Sequence, residues 1–529
     1  MLVCVAWSCW LSGCLVGPGY VRPESAPPPA WRDAGDAAVA SDAAPPERWW
    51  EGFGDPALVE LVERAYAENL SLRAAGLRVV QAQARRAIAI GSLFPQEQAA
   101  TGSFERVVRS ENAAGGSGAS GVLGGIGAGR VTDAWQIGVR SAWEIDLWGR
   151  FRRAIEAADA ELLAAVADYD DVLVSRVAEV GSTYVQLRLV DERLAVARDN
   201  VDVQRESLRI ARVRFESGGT SELDVAQAAA LLHDTEARIP QLEIERRQAV
   251  NALCVLLGLP VQDLGPVVGD AGRLPEIPAR VAVGVPADLL RRRPDVRAAE
   301  QRAAAQSARI GVATADLLPA FRIAGSIGVS AEHARKLFEG QPMAASFGPS
   351  FEWPVLNYGR LINDVRLQDA AFEEQLTTWA ETVLVAQREV EDALIAFLLG
   401  RERAARLAES VAAANRAVEL SLIQYREGAT DFTSVLTTQQ AKLQEDDQLA
   451  VVRGAVAGAV VSLFRSLGGG WEIAQGDDFV PAATRAAMRE RTRWGGLLAP
   501  EARARDVEKA RRDAEPRPWW KPRVWWPRW

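Results

Sequence analysis

The chain has 529 residues, a formal net charge of −9 and a pI near 5.2, which excludes the basic footprint of a nucleic-acid-binding protein. Its two histidines, His233 and His333, have no cysteine or second histidine at ligand spacing, and no Walker-type glycine loop or nucleophile elbow occurs. No metal, cofactor or catalytic site is therefore expected.

Three of the four cysteines, Cys4, Cys9 and Cys14, lie in an apolar start. Leu11-Ser12-Gly13-Cys14 sets small residues just before a cysteine. Residues 1–13 are read as a lipoprotein signal, with Cys14 acylated after cleavage, although no Lys or Arg precedes the apolar run as secretory signals usually require. The mature chain would keep only Cys14, blocked by lipid, and Cys254, so no internal disulfide is expected. No further run of about 20 apolar residues suggests a transmembrane helix. Residues 14–54 form a leader, Pro/Ala-rich and extended to Pro46, followed by Trp49-Trp50 and Phe53. Asp55-Pro56 supplies an N-cap and a proline at the first helical position, and the helix is expected to run to about Gly91.

Between residues 96 and 147 the period changes to two. Trp135, Ile137, Val139, Ser141, Trp143, Ile145 and Leu147 alternate with Gln136, Gly138, Arg140, Ala142, Glu144 and Asp146, a strand with one apolar and one polar face. A weaker strand near Ala99–Val108 precedes it, and the Gly-rich run from Gly115 to Gly129 makes the loop. From Gly149 an apolar residue returns every seventh position: Val166, Leu173, Val180, Leu187, Leu194, Val201, Leu208, Phe215. That repeat keeps one seam on one face when helices supercoil. About 69 uninterrupted residues make a rod of roughly 100 Å. A turn at Ser217-Gly218-Gly219-Thr220 sends a second helix, 221–257, back along it.

Adding 210 to these positions finds the unit again. Phe215-Glu216-Ser217-Gly218-Gly219-Thr220 with Val225 matches Tyr425-Arg426-Glu427-Gly428-Ala429-Thr430 with Val435, and Trp148-Gly149-Arg150 matches Tyr358-Gly359-Arg360. Upstream the offset is 224, so that Phe94-Pro95 matches Leu318-Pro319. The chain is thus two copies of one unit, 55–259 and 294–470, with a second β-hairpin at 320–356, a tip at 427–430 and a Pro/Gly-rich linker at 260–293. The tail, 471–529, is rich in Arg and Trp. It is read as a disordered extension, with contact to anionic lipid or a cell-wall polymer as the alternative.

The fold class is accordingly mainly α with a transmembrane β part. Four strands leave open edges, which lipid cannot satisfy, and apolar-out, polar-in strands are the mark of a membrane barrel. Several chains must contribute, and three would close a twelve-stranded barrel above a helical barrel of duplicated hairpins.

Cys14 with Gly17-Pro18 and Tyr20-Val21-Arg22-Pro23, the Trp49-Trp50…Phe53…Asp55-Pro56 segment and the duplicated hairpin together resemble the TolC-like outer membrane efflux factors, in their lipoprotein, NodT-like or OprM-like branch. The resemblance covers about residues 11–471. It implies a homotrimer whose β-barrel sits in the outer membrane and whose helical barrel enters the periplasm. It also implies a periplasmic adaptor, an inner-membrane pump that is commonly proton-driven, and a passive duct without a catalytic site.

On this resemblance the turns are the periplasmic tips, where the adaptor docks and the duct closes. The residues concerned are Phe215, Gly218, Thr220, Leu223, Val225, Tyr425, Gly428, Thr430, Phe432 and Val435, and the alternative is that they only terminate helices. Where some relatives carry a charged aperture, Thr433, Thr437 and Gln440 are neutral. Glu222, Asp224 and Asp431 are either a pore-lining acidic ring or ordinary charges at helix N-termini. The exported cargo is expected to be small toxic compounds. Two other readings are a type I protein-secretion channel and a lipid-anchored periplasmic coiled-coil scaffold.

Overall fold

The computed structural model describes residues 15–22, 28–41, 43–108, 131–269, 272–288, 292–339, 343–474 and 476–514. Four helices dominate it: α3 (Arg150–Glu216), α4 (Glu222–Leu256), α6 (Arg360–Arg426) and α7 (Phe432–Ser466). Both long members have 67 residues and both returning members have 35, so the 210-residue offset holds through the whole of each hairpin.

The strands are β2 (Glu97–Val108), β3 (Val131–Ile145), β5 (Ala320–Ala331) and β6 (Met343–Glu352), joined as one antiparallel sheet in the order β2-β3-β5-β6. Register sets the odd residues of β3 beside the odd residues of β5, with Trp143 opposite Ile323 and Val139 opposite Ile327. One face is therefore apolar and the other polar, where Arg322 donates to Glu144 at 3.3 Å. The apolar side chains Ile137, Val139, Trp143, Ile327, Phe347 and Phe351 are exposed, and β2 and β6 end the sheet with unpaired edges. Each copy closes its sheet base alike: Trp143 donates to the Leu93 carbonyl and Trp353 to the Leu317 carbonyl, both at 3.1 Å.

The helix expected over 55–91 is two helices, α1 (Pro56–Glu68) and α2 (Leu70–Gly91), broken at Asn69. The Asn69 carboxamide accepts from the Leu72 amide at 3.0 Å and donates to the Leu256 carbonyl at 2.7 Å. One side chain thus caps the start of α2 and ties it to the end of α4. In the second copy α5 (Pro294–Ala315) is unbroken.

The leader is not merely extended. β1 (Val39–Ala40) pairs in parallel with β4 (Val281–Ala282) of the linker, and Trp31 donates to the Gly284 carbonyl at 3.0 Å. Trp49, Trp50 and Phe53 are fully buried, with Trp49 stacked 5.7 Å from Phe464 of α7. Each aromatic ring of this size buries a large apolar area.

The tail also departs from expectation. Residues up to 514 fold into α8 (Ala482–Arg491) and α9 (Pro500–Ala514). Val480, Met488 and Leu498 pack on Val80 of α2, and Arg503 is buried, donating to Gln83 and Asp478. Arg86 bridges Asp159 of α3 and Asp506 of α9 at 2.5 and 2.9 Å. The Arg/Trp-rich 515–529 lies outside the described residues.

Helix α7 is long and apolar enough to cross a membrane. Most of its apolar stretch is buried within the chain, where it packs on α3 and α6, so it belongs to the helical wall. Among the described residues no His/Cys/Asp/Glu group could hold a metal ion.

Candidate functional site

Each long helix ends in the same turn. The Gly219 amide donates to the Arg214 carbonyl at 2.7 Å, and the Ala429 amide to the Gln424 carbonyl at 2.8 Å, a 6→1 helix stop. It requires a left-handed residue, and Gly218 and Gly428 both have φ of 76°, a conformation in which a Cβ is strained.

The two tips are held together by one clasp. The Arg214 guanidinium lies 4.5 Å from the Tyr425 ring centroid and donates to the Tyr425 carbonyl and, at 3.0 Å, to that of Gly219. The Tyr425 hydroxyl donates to Asp224 at 3.1 Å, and Thr220 donates to the same carboxylate. Burial, with the Asp224 carboxylate adding to it, holds the Tyr425 hydroxyl above its ordinary pKa, so it stays a donor at neutral pH. Under it, Phe432 meets the Tyr425 ring edge-on at 5.3 Å. Val435, Val201, Leu208 and Ala211 belong to the same small buried cluster, together with Ile210, Ala228 and Leu232, and Val225 packs against it.

The expected tip residues thus divide. Tyr425, Phe432 and Val435 are buried, whereas Phe215 and Leu223 are 44% and 63% exposed. Phe215 and Tyr425 are equivalent in sequence and not in environment. Asp224 is turned into the clasp rather than outward. Asp431 is the N-cap of α7, accepting from the Ser434 amide at 3.3 Å and from the Ser434 hydroxyl, and Thr430 donates to Ser434 at 3.0 Å. Glu222 is exposed at the start of α4, and Thr433, Thr437 and Gln440 are exposed along one side of α7.

Sequence reasoning missed Arg214, whose signal was a cation in the last turn of a helix. It also missed a polar seam above the clasp, where α3 meets α7. Gln439 donates to Ser207 at 2.5 Å, Lys442 to Asn200 at 3.3 Å, and Arg193 to Asp447 at 2.7 Å. Arg453 reaches Glu192 at 3.5 Å.

At the opposite end, Cys14 lies outside the described residues, but the chain just after it is fixed. The Val16 amide donates to the Trp148 carbonyl at 3.1 Å, and Arg153 donates to the carbonyls of Val16 and Gly17 at 3.0 and 3.1 Å. Gly17 passes against Gly311 so closely that a Cβ would meet the Gly311 Cα at 2.4 Å.

The model of the family described as outer membrane efflux protein matches residues 61–259 and 285–469, covering both copies. The pyoverdine export outer membrane protein OpmQ of Pseudomonas putida is 34% identical over 449 residues, 84% of this chain and 93% of the relative. Nodulation protein T of Rhizobium leguminosarum bv. viciae is 31% identical over 466 residues, 87% of this chain and 92% of that one. The solved outer-membrane channel OprN has a TM-score of 0.80 at 33% identity, covering 87% of this chain and 100% of the other. Matched in both halves by the family model and in fold by a solved channel, the chain belongs to the outer membrane efflux protein family and is an outer-membrane channel component.

Proposed function

We propose that three copies of this chain close into a passive duct that spans the outer membrane and continues through the periplasm. In this reading an inner-membrane pump expels small toxic compounds into it through a periplasmic adaptor docked at the tips. The observation that carries it is the pair of open edges on a sheet with one apolar face, which lipid tolerates only in a closed barrel. A lipid-anchored scaffold would need no such sheet. OpmQ is named for pyoverdine, and a relative 28% identical to this chain is named for toluene. Cargoes that differ this much fit a duct that conducts without catalysis while the pump selects. A proton-driven pump is the partner proposed.

Acylation of Cys14 belongs to the same reading. The grip of Arg153 on Val16 and Gly17 holds the adjoining chain at the base of the sheet, where a lipid would enter the same leaflet.

The clasp is the proposed gate. It joins α3 and α4 of one hairpin to α6 of the other by hydrogen bonds set over the small apolar cluster of Tyr425, Phe432 and Val435. The test is single-channel conductance of the purified trimer in a planar bilayer. Wild-type protein is expected to show small, brief steps, and an Arg214→Ala, Tyr425→Ala variant larger and longer ones. Silence from both, in folded trimers, would overturn the duct.

A further inference from the structure

Both copies of the repeat are complete at residue 470, and α8 and α9 follow as an addition packed on α2 and α3. From Ala482 to the end the chain holds thirteen Lys or Arg and six Asp or Glu, whereas the whole chain has a net charge of −9. The cations are sorted by face. On the inner face Arg485 and Arg503 share Asp478, and Val507 and Ala510 are buried. The outer face carries Arg489, Arg493, Arg505, Lys509, Arg511 and Arg512, all exposed. Among the described residues none of these six has a carboxylate within ion-pair distance. Arg505, Lys509 and Arg512 follow at spacings of four and three, which makes one stripe along α9. Like charges at such spacings repel each other, and an anionic partner relieves that repulsion.

We propose that α8 and α9 present this face to the cell wall, a glycan polymer whose peptide arms carry free carboxylates. The height of the face selects that partner over anionic lipid. Asp506 of α9 shares Arg86 with Asp159 of α3, and Arg511 is near enough to Asp170 to favour its charged form. Asp159 and Asp170 lie nine and twenty residues beyond Arg150, the first residue of α3. At 1.5 Å per residue they stand about 15 and 30 Å from the base of the sheet. Lipid headgroups extend only about 5–8 Å beyond the hydrocarbon, and salt screens their charge over about another 8 Å. The face is therefore set below the reach of the bilayer, at the level of the helical wall.

The root of the tail is tied to the leader. Arg292 donates to the Pro45 carbonyl at 3.3 Å and to Glu472 at 3.1 Å. The leader starts from the residue proposed to carry a lipid, which must lie outside the duct. Leader and tail thus share one outer belt, and the basic face looks away from the lumen. Past Glu515 the sequence adds four Lys or Arg and five Trp without a further carboxylate side chain, so its composition extends the same preference for anions. Electrostatic docking of this kind weakens as salt rises, and each exposed pair contributes little alone, so the face acts as a set.

Co-sedimentation of the full-length protein, in detergent, with purified peptidoglycan sacculi tests this. Wild-type protein is expected to pellet with the sacculi and to be released by high salt. Arg505→Glu, Lys509→Glu and Arg512→Glu together should weaken binding about tenfold or more, while Arg505→Lys, Lys509→Arg and Arg512→Lys together should keep it within about twofold. Resistance of α9 to protease shows that the reversed tail is folded. If it is not, Arg489→Glu with Arg493→Glu, on and just past α8, gives the same reading, with about a threefold loss expected. A chain ending at Ala514 should still bind. Loss of all binding on that truncation, or equal binding by wild-type and folded charge-reversed protein, overturns the face. Vesicles of phosphatidylcholine with one-third phosphatidylglycerol should hold wild-type and reversed protein alike. A loss on vesicles with none on sacculi assigns the face to lipid and overturns the proposal. Pelleting is read without any conductance, and the reversed protein should keep the wild-type channel behaviour, so a silent channel sinks the duct and still leaves this face decided.

Discussion

Tyr425 donates its hydroxyl to Asp224 across 201 positions of sequence, at 3.1 Å, and joins the two hairpin tips. Tyr425→Phe keeps the buried ring against Phe432 and removes the hydroxyl that meets Asp224 and Thr220. A hydrogen bond to a carboxylate in a partly buried setting is worth about 1–2 kcal/mol, a factor of about 5–30 in an equilibrium. The open-to-closed ratio of single channels is expected to rise by that order, with the melting temperature nearly unchanged.

Asp170 and Asp171 of α3 give the middle of the body a pH dependence. Burial pushes both carboxyls up to about 6; Arg297 opposes the shift at Asp170, and the Asp295 carboxylate adds to it at Asp171. A carboxyl with a raised folded-state pKa binds its proton more tightly folded than unfolded. Its contribution to stability is full below the ordinary carboxylate range and is lost as pH rises through about 6. Asp171→Asn is therefore expected to raise stability at pH near 7.5, by on the order of 1–2 kcal/mol, and to change little near pH 4.5. Thermal melts at the two pH values check this; an equal effect at both would refute it.

Arg503 is 1% exposed and anchors α9 through Asp478 and Gln83. Removing it leaves the partly buried Asp478 carboxylate with Arg485 as its cation and Gln83 without its partner, a loss of about 1–3 kcal/mol. Arg503→Ala should detach the tail, seen as rapid proteolysis within 482–514, while single-channel steps persist because the clasp lies at the far end of α3.

The hairpins were legible because a heptad and a 210-residue repeat are local or periodic, and Gly218 and Gly428 mark where each rod must turn. The break at Asn69 was not, since Asp55-Pro56 opens a good helix and the interruption is fixed by a carbonyl of α4, at Leu256. The tail misled through composition: Val480, Met488, Leu498 and Val507 are sparse among charged residues, and the long-range partners of the tail, Gln83 for Arg503 and Arg86 for Asp506, sit hundreds of positions away. The clasp was half visible. Tyr425 stood out by its repeat position, but the asymmetry with Phe215 arises from Arg214, whose own mate is Gln424.

The hold of Arg153 on Val16 and Gly17 also fixes a depth. Two residues of extended chain reach about 7 Å, so the acyl group proposed for Cys14 would have almost no slack. With that anchor in place, the fatty chain and the sheet would enter the leaflet as a set, like a bolt and its washer. A duct that is pulled from below by its pump would then transmit that load to lipid at three points around its rim, rather than through the barrel wall alone.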